Sequence, residues 1–155
     1  MKKILIALDY NPTAQKVAEI GYSLVKGFDV EVTLMHVMGN PVFYTSTVYE
    51  PIMGFGGYID TDFLEPRILD GLKKASYSFL EKSKHHLGNI AIKVLVTEGD
   101  TAESIITTAK EMKADLVVVG SHSKQWLEKI LMGSVAEKIL HENAFPVLVI
   151  PTKEQ

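Results

Sequence analysis

The residues whose types and spacing bear on chemistry lie in two places. One is Asp9, which ends an apolar run at Ile4–Leu8. The other is a pair of small-residue turns, Gly120-Ser121-His122-Ser123 and Gly133-Ser134, set between two β-branched runs, Leu116–Val119 and Val147–Ile150. After the second turn Val135, Ala136, Ile139 and Leu140 fall on one helical face. Ser134 and Glu137 form a Ser-x-x-Glu capping box, which starts the helix at Ser134. A glycine just before a capped helix start suits an anion, because the first-turn N–H groups lack intrahelical acceptors and the helix dipole favours negative charge. Ser134 has two compatible readings, helix cap and phosphate ligand. Lys124, between the turns, is either a point charge for a phosphate or a solvated loop lysine. Asp9 is the acid that would face such a ligand; otherwise it is a turn former after a strand.

Other chemistry is thinner. His36 and His122 have no Glu-x-x-His or His-x3-His neighbour, so packed or turn histidines are the simpler reading. His85-His86 reads as a helix-end pair that complements the dipole. Trp126, with Leu127, Ile130, Leu131 and Met132, reads as core or a subunit contact. Neither a Gly-x4-Gly-Lys-Ser/Thr loop nor a Gly-x-Ser-x-Gly elbow is present. With no positioned base or acidic pair for magnesium, a bound phosphate ester is expected to turn over slowly or not at all.

These groups need a scaffold, and the hydrophobic pattern supplies one. Ile4–Leu8 reads as a strand buried on both faces. Asn11 and Pro12 form a helix entrance as cap and first helical residue, and Gly27 closes that helix. Val30–Val37 is the second strand. Residues 38–66 carry glycines, prolines and the aromatics Phe43, Tyr44, Tyr49, Phe55, Tyr58 and Phe63, the composition of a long functional loop or insertion. Arg67 to His86 is the longest helical pattern, with Ile68, Leu72, Ala75 and Phe79 on its buried stripe. Ile90–Val96 is the third strand, Asp100 with Glu103 caps the next helix, and Leu116–Val119 and Val147–Ile150 complete the set. Strands alternating with helices give a doubly wound α/β layer around a parallel sheet, with right-handed crossovers. Ligands of such sheets sit outside the strand carboxyl ends where the order reverses. If the first and fourth strands are neighbours, Asp9 and Gly120 converge there; spacing alone leaves that adjacency open.

Composition bounds the function. A chain of 155 residues with 46% apolar and 23% charged residues fits one globular domain. A net charge of −3 argues against an obligatory nucleic-acid partner, and the lack of cysteine excludes disulfides and thiolate chemistry. The apolar run after Lys2-Lys3 ends at Asp9, short of a secretory segment, and no stretch approaches ~18 apolar residues. A cytoplasmic protein with no membrane partner is expected.

Gly120-x2-Ser123-x9-Gly133-Ser134, followed by Val135-Ala136-Glu137 and Pro146–Pro151, resembles the nucleotide-binding signature of the universal stress protein family, Gly-x2-Gly-x9-Gly-Ser/Thr in its ATP-binding members. Lys3–Asp9 is similar to the family's first strand with its terminal aspartate, and Leu34-Met35-His36-Val37 to the end of its second. The resemblance covers nearly the whole chain except the long loop. It implies a single domain over residues 1–155, with 38–66 as a loop and 152–155 as a tail. It also implies a Rossmann-like, adenine nucleotide alpha hydrolase-like fold with a five-stranded sheet of order 3-2-1-4-5. The implied ligand is ATP or AMP, with or without Mg2+, lying across strands 1 and 4, and homodimers would pair through Val147–Ile150. Asp9 would then lie on the adenine and ribose side, with the backbone of Ala7 and Leu8 nearby and Val37 touching adenine. Gly120 would pass beneath the ribose, and Gly133, Ser134 and Val135 would hold the phosphates by N–H groups and the Ser134 hydroxyl, with Ser123 at the signature's second glycine. The departure is Ser123, where ATP-binding members carry glycine. If that position is left-handed, serine costs roughly 1–2 kcal/mol there and weakens binding.

Three function classes follow from these residues. The first is a homodimeric nucleotide-binding stress-response module. The second is a slow nucleotide hydrolase on the same scaffold, and the third a nucleotide-free interaction protein in which Ser123 marks a lost site.

Overall fold

The structure, a computed structural model, describes residues 1–10, 12–39, 66–121 and 133–152. Along the chain these form β1 (Lys3–Ala7), α1 (Ala14–Ser23), β2 (Glu31–Met38), α2 (Pro66–Leu87), β3 (Lys93–Glu98), α3 (Thr101–Met112), β4 (Leu116–Gly120), α4 (Ser134–Glu142) and β5 (Val147–Ile150). The strands make one sheet in the order β3-β2-β1-β4-β5, and every pairing is parallel. The expected order therefore holds. β1 is central, and its Ile4, Leu5 and Ile6 are wholly buried because helices cover both sheet faces.

Strand alternation divides the core in two. Ile4, Ile6, Leu34 and Val118 pack with Val17 and Ala18 of α1 and Leu80 of α2. Leu5, Met35, Val117 and Val119 pack with Ile105 and Ala109 of α3 and Ala136 and Ile139 of α4. Gly21 lets α1 lie close on the sheet: a Cβ there would sit 3.0 Å from Val118 Cγ1 and 3.3 Å from Ile6 Cδ1. Among the described residues no helix is long and apolar enough to cross a membrane.

Several element boundaries differ from those read in the sequence. α1 starts at Ala14 with Thr13 as its cap residue, and Pro12 lies in the preceding turn. Its first helical bond runs from the Val17 N–H to the Thr13 carbonyl at 3.2 Å. Proline's fixed φ serves a turn position as well as a first helical one, which is why the residue type did not discriminate. On α2 the buried row passes through Ser76, Leu80 and Ser83, while Ile68 and Ala75 are exposed. Serines can line that face because their hydroxyls bond back to the helix, as Ser76 does to the Leu72 carbonyl at 3.0 Å. β3 begins at Lys93, leaving Ile90 93% exposed. Residues before it are held in a turn, where the Asn89 side chain accepts the Ala91 N–H at 2.9 Å and donates to the Tyr22 hydroxyl at 3.0 Å. The long stretch is shorter at both ends than 38–66, since Met38 belongs to β2 and Pro66 opens α2. Its aromatics lie outside the described residues, as do the expected cap Asn11 and the apolar set from Trp126 to Met132.

Candidate functional site

β1 and β4 are neighbours, with Ile4 opposite Leu116 and Ile6 opposite Val118, so their carboxyl ends open side by side. From this pair the sheet extends through β2 and β3 on one flank and β5 on the other. The order therefore reverses at this point, the crevice where open α/β sheets bind ligands.

On the β1 side the ladder runs one residue past the strand, the Leu8 N–H donating to the Met35 carbonyl at 2.8 Å. Leu8 is buried toward α1 and α2, whereas Ala7 and Val37 belong to the face covered by α3 and α4. Asp9 follows Leu8, half-buried. His36 braces this end from behind: its Nδ1–H donates to the Leu8 carbonyl at 2.8 Å. Its ring lies edge-on to Tyr10 at 5.3 Å and to Phe79 at 5.9 Å. His36 is thus a packed histidine. Tyr10 in turn stacks on Phe79 at 4.8 Å and donates its hydroxyl to the Ala75 carbonyl at 3.2 Å, tying the segment after β1 to α2.

On the β4 side the chemistry converges on Ser121. Its N–H donates to the Ile150 carbonyl at 2.9 Å, and its own carbonyl accepts the N–H of Gly133. Its Oγ accepts the Thr152 N–H at 3.0 Å and lies 3.3 Å from Thr152 Oγ1. Both residues are buried. Gly120, expected beneath a ribose, has a reason within the protein to be glycine: a Cβ there would sit 3.1 Å from Val17 Cγ2 and 3.1 Å from Thr152 Cγ2. Thr152 is accordingly part of the packed structure rather than the first residue of a tail.

The bond to Ser121 delivers the start of α4 to the end of β4. Gly133 is extended (φ −68°, ψ 155°), and its carbonyl accepts the Glu137 N–H at 3.0 Å. Gly133 is therefore the cap residue and Ser134 the first helical one, which corrects the capping-box reading of Ser134. Ser121 fixes the N–H of Gly133 and so sets the cap one residue earlier. Since that N–H already has an acceptor, the amides that helix geometry leaves open are those of Ser134, Val135 and Ala136. Ser134 is exposed and Val135 half-buried. Ser123, Lys124 and His122 lie outside the described residues.

α4 is braced against α3 by charge. Asp100 caps α3, its carboxylate accepting the Glu103 N–H at 2.9 Å, as the sequence predicts. Lys138 reaches Glu103 Oε1 at 3.3 Å and Asp100 Oδ1 at 3.4 Å. The Glu103 N–H holds the Asp100 carboxyl below the ordinary carboxylate range, and the carboxylates of Glu103 and Asp100 raise the Lys138 ammonium. These pairs are exposed and orient α4 more than they stabilise it. Among the described residues no group of three or more histidine or acidic side chains converges to hold a metal ion.

The structure thus brings Ala7, Leu8, Asp9, Val37, Gly120, Gly133, Ser134 and Val135 to one end of the sheet. Sequence reasoning missed Ser121 and Thr152. The available signal was a small polar residue just after each of two apolar strands; in the sheet Gly120 pairs with Ile150, so those residues meet.

Comparison with known proteins agrees with this geometry. The model of the universal stress protein family matches residues 1–151. The chain is 34% identical over 155 residues to universal stress protein MJ0531 of Methanocaldococcus jannaschii, covering 99% of this chain and 85% of that one. It is 30% identical over 159 residues to universal stress protein MJ0577 of the same organism, covering 98% and 96%. The solved structure of MJ0577 superposes with a TM-score of 0.76 at 26% identity, over 99% of this chain and 98% of that one. A universal stress protein family protein from Arabidopsis thaliana, solved with AMP bound, shares the fold with a TM-score of 0.60 at 16% identity, over 99% and 93%. With the family model spanning residues 1–151, relatives at 30% and 34% identity and the sheet in the order 3-2-1-4-5, the chain belongs to the universal stress protein family.

Proposed function

We propose that this protein binds an adenine nucleotide, ATP or AMP, in the crevice between the ends of β1 and β4. It acts as a homodimeric stress-response module with little or no turnover. The observation that carries this reading is the bond from Gly133 to Ser121, which sets the open first turn of α4 at the end of β4, the strand paired with β1. A row of amide hydrogens at a helix N-terminus suits phosphates, and a carboxylate on the adjoining strand suits ribose hydroxyls or adenine donors. Ala7, Leu8 and Val37 form the wall nearest the base. Ser134 and Val135 hold phosphate oxygens, with Ser123 and Lys124 as further phosphate ligands, with or without Mg2+. A family relative solved with AMP bound supports the choice of an adenosine ligand.

Dimerisation fits the outer edge of the sheet. β5 is the outer strand, and Val147, Leu148, Val149 and Ile150 carry no charge to protect it. A second copy pairing there covers that edge.

The deciding experiment is to denature the purified native protein and separate any released nucleotide by chromatography. Co-purified adenine nucleotide is expected, and its retention falls about tenfold or more in D9A, the worth of a hydrogen bond to a charged group. A clean extract with no thermal shift in saturating ATP or AMP overturns the reading. Phosphate release that disappears in D9A would instead identify a slow hydrolase.

A further inference from the structure

Ser121 stands where three segments meet: the end of β4, the end of β5 with the two residues after it, and the cap of α4. Its N–H, carbonyl and hydroxyl each hold a different partner, Ile150, Gly133 and Thr152 respectively. We propose that Ser121 and Thr152 form a latch that positions the first turn of α4 over the crevice, so that the Thr152 hydroxyl sets nucleotide affinity from outside the binding site. The proposal rests on the nucleotide reading of that crevice and adds a positioning residue that no ligand contact would reveal.

The argument is one of leverage. The amides of Ser134 and Val135 serve a phosphate only if α4 begins at the right height, and that height is fixed where Gly133 donates to the Ser121 carbonyl. Ser121 is in turn held at two points by the end of β5, its N–H by the Ile150 carbonyl and its Oγ by Thr152. Both hydroxyls of the pair are buried, so a lost partner is not replaced by water and the network loosens as a unit. The other brace on α4, the Lys138 pairs, is exposed and weaker.

Two of the contacts Thr152 makes are separable. Its Cγ2 fills the space that a Gly120 side chain would occupy, at 3.1 Å from that Cβ position, and its Oγ1 faces Ser121 Oγ at 3.3 Å. Thr152→Val keeps the volume and removes the hydroxyl; Thr152→Ser keeps the hydroxyl and removes the methyl. A role confined to packing makes the serine variant the worse of the two, whereas a latch makes it the valine variant.

The test compares parent, T152V and T152S in the full chain by calorimetric titration with ATP and with AMP. Exchange of the Gly133 amide hydrogen is followed without nucleotide. We expect T152V to bind about five- to tenfold more weakly and to exchange at Gly133 faster by a similar factor, the worth of one buried hydrogen bond, with T152S near the parent on both readings. If T152V matches the parent in affinity and in Gly133 exchange while T152S is impaired, the latch is overturned and Thr152 is a packing residue. If the parent takes neither ATP nor AMP, the nucleotide reading fails by itself. Exchange at Gly133 then decides the latch: faster in T152V upholds it, unchanged overturns it.

Discussion

Replacing Gly120 with alanine tests whether the end of β4 is as tightly closed as the structure requires. The new Cβ would stand 3.1 Å from Val17 Cγ2 and 3.1 Å from Thr152 Cγ2, closer than carbon atoms pack comfortably. Neither neighbour yields easily. Val17 is a β-branched residue buried on α1, and Thr152 is tied through its N–H and hydroxyl to Ser121. Overpacking by a methyl at such a site costs about 1–3 kcal/mol, against which the stiffer unfolded chain of alanine offsets about 0.4–1 kcal/mol. The net loss is about 1–2 kcal/mol, which for a chain of this length lowers Tm by about 2–8 °C. Thermal and urea unfolding measure it directly. Thr152→Ser removes one of the two clashing methyls. In the G120A background it should therefore cost about 0.5–1 kcal/mol less than in the parent, a coupling read by a double-mutant cycle. A G120A protein as stable as the parent, or a cycle that closes with simple additivity, would refute the reasoning about how this strand end is packed.

Two further outcomes follow from named groups. Asp100→Ala removes the cap of α3 and one arm of the Lys138 bridge, and should lower stability by about 1 kcal/mol in urea unfolding. The carboxyls of Asp100 and Asp115 are both held low in the fold, the first by the Glu103 N–H and the second by the N–H groups of Lys2 and Lys3. A lowered folded pKa means their stabilisation is complete above the unfolded value of about 4 and is lost as pH falls through the folded values below it. The D100A/D115A double variant should accordingly show a shallower loss of stability on acidification than the parent, and an identical acid limb would contradict that assignment. Val149→Lys places a charge in the middle of β5 and should yield monomers by sedimentation velocity; an unchanged sedimentation coefficient would count against pairing through that edge.

Much of the architecture was legible because strongly apolar strands carry their own signature. Ile4–Leu8 and Leu116–Val119 are continuous β-branched or aliphatic runs, and only strands covered on both faces tolerate them, so a parallel sheet with helices on both sides followed. Asp100 with Glu103 marked a real cap because an acidic side chain and a nearby N–H make a local contact. Misplacements arose where a local rule admitted two answers. Pro12 suited a turn as well as a helix start, and Ser134 suited a first helical position as well as a cap. Ser76 and Ser83, polar by type, sit on the buried face of α2, so a stripe drawn through apolar residues caught Leu72 and Phe79, which pack on the core, and missed the centre of that face.

By itself the sequence determined the alternation of strands and helices, the acid at the end of β1, and the helix that starts beside Gly133. Each depends on residues near one another in the chain, where spacing is geometry. Only the tertiary structure decided that Gly120 is glycine because Val17 and Thr152 fill its side-chain space, and that Ser121, after β4, bonds both to Ile150 and Thr152 at the end of β5 and to Gly133 at the start of α4. Those contacts join residues far apart along the chain, and no local periodicity encodes them. They exist because the sheet sets β1, β4 and β5 side by side, and burial then requires every polar group at their ends to find a partner.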